Sequence, residues 1–184
     1  CDNKVYPKPF TFLYVGRLLK HKNVEALIQQ FNIKFSEKDA VLKIVGDGKQ
    51  VEYLIDKYAS DKVIFKGKKF NKELIAEYFS ASCFVCPSLF EPWGLVVNEA
   101  LSAGLPVIAS KQVGACFDLI EDKGTGFIAA DMQDFGQMML TLFDDAELLK
   151  RYSKNASDLM KKNWNYELYN NCLSKAIKKV DQWQ

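Results

Sequence analysis

The chain has 184 residues, 48% of them hydrophobic and 26% charged, with a formal net charge of +2. That is the make-up of one globular domain with a real core, and so small a charge does not by itself imply nucleic acid, for which no recognised motif appears. No apolar run approaches the length of a membrane span, and an odd count of five cysteines argues against a disulfide framework and for a reducing compartment.

In chain order, short apolar runs alternate with amphipathic stretches. Strands are expected over 11–15 (TFLYV), 41–45 (VLKIV), 63–65 (VIF), 83–86 (CFVC), 107–109 (VIA) and 126–128 (GFI). They are continuous and apolar, as in a parallel sheet covered on both faces. Helices are expected between them over 24–35, 50–58, 72–80, 95–103 and 115–120. Gly104 and Pro106 punctuate the end of the fourth in the usual order. The pattern predicts an α/β fold, a Rossmann-like doubly wound parallel sheet of about six strands with helices on both faces.

From residue 131 onward only helical periods remain, over 135–143, 147–162 and 166–183. This is the helical C-terminal tail of the fold. The last helix carries Leu168, Tyr169, Cys172, Leu173, Ala176, Ile177 and Val180 on one stripe. Such a stripe must pack on something, either the domain's own sheet or a second domain. A chain that opens at Cys1 and not at Met is expected to lack its natural start, so targeting is left unread.

Cys83 and Cys86 form a CxxC, but His21 is the single histidine and no second cysteine pair follows. The pair lies in the run SCFVCP, which reads as a buried strand. Buried free thiols are expected there, not a redox or metal site.

In open α/β sheets ligands bind beyond the carboxyl ends of the strands. The loops to consider are therefore 16–23, 46–49, 66–71, 87–94 and 110–114. The first reads VGRLLKHKN. Arg17 and Lys22 leave a strand and flank a helix start, where two cations and unpaired amides suit a diphosphate. Basic residues in such places are also commonly just solvated. The second, VGDGKQVEYL, has strand-Gly-x-Gly-helix form. Val51 stands where a dinucleotide fingerprint needs its third glycine, which argues against nicotinamide or flavin and for a tight turn with a glycine helix start.

The fourth loop, PSLFEPWGLVVNEALSAGLPVIAS, says most. Gly94 opens a helix whose first amides, on Gly94, Leu95 and Val96, can face an anion. Glu91 lies in the loop and Glu99 in the second helical turn among mostly apolar neighbours, spaced E-x7-E. A carboxylate in that setting needs a partner or a ligand. Two readings fit. One is a surface carboxylate plus a helix carboxylate bonded to a neighbouring loop. The other is a pair of acceptors for the hydroxyls of a sugar and a ribose, with a phosphate on the helix amides between them.

From Phe10 to about residue 160 the chain resembles the C-terminal domain of retaining GT-B glycosyltransferases of glycosyltransferase family four. The resemblance rests on co-linear motifs at family spacing: VGRLLKHKN, LKIVGDGK, KVIFKGKK, PSLFEPWGLVVNEALSAGLPVIAS, VGACFDLI and GTGFIAA. Asn23 stands where the family usually has glycine, and Trp93 where Phe or Tyr is common. Neither departure removes a charged ligand.

The resemblance implies a nucleotide-sugar-binding domain over 1–163 and a C-terminal helix over 164–184 that reaches a missing N-terminal acceptor domain. It implies that Arg17 and Lys22 neutralise a donor diphosphate. Glu91 would contact hydroxyls of the transferred sugar, and the backbone of Trp93, Gly94, Leu95 and Val96 would hold sugar and phosphate. Glu99 would accept from the ribose, and the loop at Gly67 and Lys68 would lie against the base. Glu91, Arg17 and Lys22 would carry the catalysis. The substrate is a UDP-sugar or GDP-sugar, with no cofactor and no metal. The acceptor is a sugar or a lipid-linked sugar. The family's commonest setting is cell-surface polysaccharide or lipopolysaccharide assembly, cytoplasmic or peripheral to the inner face of the membrane, without nucleic acid.

Competing readings are a non-catalytic nucleotide-sugar-binding module and a GT-B-like epimerase or phosphorylase. The E-x7-E context and the lack of a lysine-bound cofactor signal count against the last two. A glycoside hydrolase needs one carboxyl of raised pKa opposite the other, which Glu99 beside a diphosphate site does not fit.

Overall fold

Six β-rich runs form one parallel sheet in the computed structural model, which describes residues 6–181. The strands are β1 Phe10–Val15, β2 Ala40–Val45, β3 Val63–Gly67, β4 Cys83–Cys86, β5 Val107–Ser110 and β6 Gly126–Ala129. Their order is β3-β2-β1-β4-β5-β6, with every neighbouring pair parallel. The helices are α1 Val24–Phe35, α2 Val51–Tyr58, α3 Asn71–Phe79, α4 Leu95–Ser102, α5 Cys116–Leu119, α6 Met132–Asp144, α7 Ala146–Asn163 and α8 Tyr166–Asp181. A single 3-10 turn, Lys20–Lys22, precedes α1.

Strand side chains alternate between faces, so each strand feeds two cores. Phe12 and Tyr14 of β1, Cys83 and Val85 of β4, and Ile108 of β5 pack under α1, α2 and α6. Leu13, Phe84, Cys86, Val107 and Ala109 pack under α3, α4 and α5. Helix α7 spans both, with Leu149 in the first core and Ala156 and Met160 in the second. This is why the central strands β1, β4 and β5 read as apolar runs: both of their faces are covered. The doubly wound α/β architecture is the one its strand-helix alternation predicts.

The predicted α6 begins three residues late. Asp131 caps it by accepting the Asp134 N–H at 2.9 Å, so the first turn, Met132 to Asp134, is mostly polar and outside the apolar period. Asp145 caps α7 in the same way, from the Leu148 N–H at 2.8 Å. The predicted last helix runs as expected from Tyr166, and its end at 182–183 lies outside the described residues, as does the side chain of Val180. Every side chain from Tyr166 to Lys179 is exposed, including Leu168, Tyr169, Leu173 and Ile177. The apolar stripe of α8 therefore does not cover the domain's own sheet.

Candidate functional site

Strand order reverses between β1 and β4, and the loops that follow these two strands flank the resulting crevice. The β1 loop is stitched to both neighbours. The Leu18 N–H donates to the Asp47 carbonyl at 2.8 Å and the Gln50 N–H to the Leu18 carbonyl at 3.0 Å, tying it to the β2 loop. On the other side the Leu89 N–H donates to the His21 carbonyl at 2.7 Å, tying it to the β4 loop. The buried Tyr14 hydroxyl donates to the Arg17 carbonyl at 3.0 Å and fixes the turn from below.

The Gly-x-Gly of the β2 loop serves this stitching. Gly46 has φ +146°, and a Cβ there would lie 1.8 Å from the Gly16 carbonyl oxygen. A Cβ on Gly48 would lie 2.4 Å from that of Leu18. Helix α2 starts only at Val51, behind Gln50. The glycines thus let two loop backbones touch, and the expected glycine helix start is corrected to a backbone crossing.

The β4 loop is held from the other side of the sheet. The Glu91 N–H donates to the Gln112 carbonyl at 3.2 Å, and the Glu91 carbonyl accepts from the Gly114 N–H at 2.9 Å, an isolated parallel bridge with the β5 loop. Gly94 takes φ +98° and stands at the N-terminus of α4, which no side chain caps.

The side chains then sort into three places. The Lys22 ammonium and the Glu91 carboxylate pair across the crevice, 17% and 18% exposed. Arg17 is exposed and lines a cleft of about 500 Å³ with Gly16, Gly46, Asp47, Gly48, Lys68 and Lys69. Lys69 is paired with Glu73 at 3.6 Å, while the Lys68 ammonium rests 4.8 Å from the Phe70 ring centre. Trp93 and Leu95 send their side chains elsewhere, into an apolar groove of about 700 Å³ with Met160, Trp164 and Tyr169. There the Trp93 indole N–H donates to Asn98 Oδ1 at 2.9 Å, and its ring lies 5.6 Å from that of Trp164. Val96 packs against the core beneath α4.

Glu99 occupies a third depression, between α3 and α4, with Asn71, Leu74, Ile75 and Phe79. Its partner is Tyr78, whose hydroxyl donates to Glu99 Oε2 at 2.7 Å. Tyr78 is buried, and burial first, then the hydrogen bond to the carboxylate, push its pKa far above the ordinary phenol range. The structure therefore pairs Lys22 with Glu91, places Arg17 and Lys68 on one cleft, and sets Glu99 apart with Tyr78.

Residues 2–159 match the family model described as glycosyl transferases group 1. The chain belongs to that family. Among its relatives is the glycogen synthase of Mycobacterium tuberculosis, 29% identical over 166 residues, which cover 86% of this chain and 40% of that protein. The chain thus spans well under half of that relative's length. Among solved structures, the fold matches Anabaena HepE in complex with UDP and glucose at a TM-score of 0.78, with 21% identity, over 92% of this chain and 48% of that one. It also matches the C-terminal domain of a glycosyl transferase group 1 family protein from Francisella tularensis. That match has a TM-score of 0.74 and 24% identity, over 88% of this chain and 89% of that one.

Two sequence observations gain a physical basis in this group 1 domain. Asn23, where the resemblance leads to an expectation of glycine, adopts φ +58° between the 3-10 turn and α1. Asparagine tolerates the left-handed region better than other residues with a side chain, so the turn survives the departure. Cys83 and Cys86 project to opposite faces of the sheet, one into each core, so they cannot share a disulfide or a metal. Burial pushes the Cys86 thiol up to about 11 and the Cys116 thiol up to about 12.

Tyr78 was the residue that sequence reasoning missed. Its only signal is a tyrosine in the buried stripe of a helix, whose hydroxyl must find an acceptor. No helix among the described residues is long and apolar enough to cross a membrane.

Proposed function

We propose that this chain is the nucleotide-sugar-binding half of a retaining GT-B glycosyltransferase, completed by an N-terminal acceptor-binding domain. The observation that carries the reading is the crevice at the strand reversal, where Arg17, the Lys22–Glu91 pair and the uncapped start of α4 come from loops locked to one another.

The costly event in glycosyl transfer is departure of a nucleoside diphosphate as the sugar becomes oxocarbenium-like. Fixed positive charge on the leaving oxygens lowers that barrier, typically by about 2.7–4 kcal/mol per donor in comparable anion sites. Arg17, Lys22 and the amides of Gly94, Leu95 and Val96 take this role in place of a metal. An ammonium carries three N–H donors. Lys22 can spend one on Glu91 and present the others to phosphate, which holds Glu91 at the sugar side of the same contact. Glu91 accepts from hydroxyls of the transferred sugar, with the Trp93 backbone beside it. Glu99 accepts from the ribose, and Lys68 lies near the base. The acceptor hydroxyl gives its proton to the leaving phosphate as the new bond forms on the face the donor leaves.

The Anabaena neighbour, described with UDP and glucose, supports a nucleotide-sugar donor. The match to most of an isolated C-terminal domain, against 40% of a glycogen synthase, supports the half-enzyme reading. The exposed stripe of α8 supports a helix that packs on that second domain. We assign the complete enzyme to cell-surface polysaccharide or lipopolysaccharide synthesis, in the cytoplasm or at the inner face of the membrane, with a sugar or lipid-linked acceptor.

The test compares the isolated chain with the two-domain protein, using UDP-sugars and GDP-sugars with and without acceptor. Binding without transfer is expected from the chain alone, because reacting atoms must be held within about 3–3.5 Å and one domain cannot hold both partners. Comparable transfer from both proteins would overturn the half-enzyme reading. Failure to bind any nucleoside diphosphate would overturn the donor site.

A further inference from the structure

We infer that Tyr78 is a positioning residue for Glu99 and thereby sets preference for ribose over deoxyribose in the bound nucleotide. The inference rests on the proposed role of Glu99 as ribose acceptor. Its ground is the contact between the two helices, in which the Tyr78 hydroxyl donates to Glu99 Oε2 at 2.7 Å.

The two partners differ in freedom. Tyr78 is only 4% exposed, with its ring 5.9 Å from that of Phe84 and its body in the core beneath α4. Glu99 is exposed on the second turn of α4. An exposed glutamate has several torsions to order before it can present its oxygens in one direction. The hydrogen bond to an immobile phenol removes that freedom in advance.

The donor is also neutral. A lysine or arginine in its place would fix the carboxylate but spend its charge on an ion pair. A phenol orients the carboxylate and leaves it a full anion, the stronger acceptor for hydroxyls. A carboxylate has about four lone-pair positions. Tyr78 takes one on Oε2, so Oε1 remains wholly available to vicinal 2′- and 3′-hydroxyls. Burial and the hydrogen bond hold the pKa of Tyr78 far above the ordinary phenol range, so its proton stays in place at any working pH and the contact does not switch off.

A simple staple between α3 and α4 would explain the same distance. The two roles differ in what the loss of one hydroxyl does. A site built to bond a hydroxyl rejects the analogue that lacks it, whereas a staple has no means to tell the two ligands apart.

The experiment measures binding of UDP, GDP and their 2′-deoxy and 3′-deoxy forms to the chain by calorimetry. The variants are Tyr78→Phe, Glu99→Gln and Glu99→Asp. The parent is expected to prefer the ribose form by about tenfold or more. Tyr78→Phe is expected to cut that ratio to about threefold or less, by weakening the ribose form and sparing the deoxy form. Glu99→Asp draws the carboxylate back from an intact Tyr78. It draws the carboxylate back from the ribose as well, so it reports loss of the ribose contact; the Tyr78→Phe ratio itself survives partial unfolding, because the apparent constants of both ligands scale with the same folded fraction. An unchanged ratio in Tyr78→Phe, with the ratio lost in Glu99→Gln, would overturn the positioning role and leave Glu99 as ribose acceptor. An unchanged ratio in Glu99→Gln would overturn the ribose role and this inference with it. No binding of either nucleoside diphosphate to the parent would overturn the donor site itself.

Discussion

The Lys22 ammonium is paired with the Glu91 carboxylate across the point where the strand order reverses, joining a loop after β1 to a loop after β4. Both side chains are sheltered, so removing one partner leaves the other's charge partly desolvated. Lys22→Met and Glu91→Gln should each destabilise the domain by about 1–2 kcal/mol, and the double variant by little more than either, since each has already broken the pair. Urea unfolding of the four proteins checks this. Losses that simply add would show that the pair contributes nothing as a pair. In ligand binding the two should part company. Lys22→Met should weaken nucleoside diphosphate about tenfold, while Glu91→Gln should spare it and lower transfer in the two-domain protein. Normal turnover in the Glu91 variant would remove its proposed role.

Arg17 tests the diphosphate assignment separately, because its guanidinium is exposed and its fold contacts run through the backbone. Arg17→Ala should change stability by less than about 0.5 kcal/mol. It should weaken UDP or GDP by about tenfold or more and the matching nucleoside hardly at all, since a charged hydrogen bond is lost from one ligand only. Calorimetry with both ligands gives the comparison. Equal losses would place Arg17 away from phosphate.

Gly46→Ala should be far more damaging than the addition of a single methyl group suggests. The new methyl would sit at 1.8 Å from the Gly16 carbonyl oxygen, at φ +146°. Neither backbone can move without breaking the Leu18–Asp47 and Gly46–Gly67 hydrogen bonds, at 2.8 and 2.9 Å. A loss of about 2–4 kcal/mol is expected in urea unfolding. A loss below about 0.5 kcal/mol would mean that the loop crossing is not needed to hold the fold.

Thiol chemistry should separate Cys172 from the core cysteines. Cys172 is exposed on α8, whereas Cys83, Cys86 and Cys116 are buried. At pH 8 a thiol held at about 11 is ionised to about one part in a thousand, so Cys86 lacks thiolate as well as access. Iodoacetamide at pH 8 should label Cys172 in the native protein and the three core thiols only in denaturant, as read by peptide mass mapping. Native labelling of Cys86 at the rate of Cys172 would contradict its burial.

The order of strands and helices, the two-faced burial of the sheet and the loops that bear charge were legible in the sequence, because local periodicity reports which side chains leave water. The family motifs also picked out Arg17, Lys22, Glu91 and Glu99 without coordinates. Which of them meet was decided by the tertiary structure alone. Lys22 reaches Glu91 over 69 residues because β1 and β4 are neighbours at the strand reversal. Tyr78 reaches Glu99 because α3 and α4 share a core on one face. The glycines of VGDG looked like a helix start, since a turn signal is local, whereas the carbonyl oxygens that exclude a side chain there belong to another loop. The stripe of α8 had a visible period, but a period says only that a face is apolar, not what covers it. Its exposure in this domain was settled by where α7 ends and how the sheet is already covered by seven other helices.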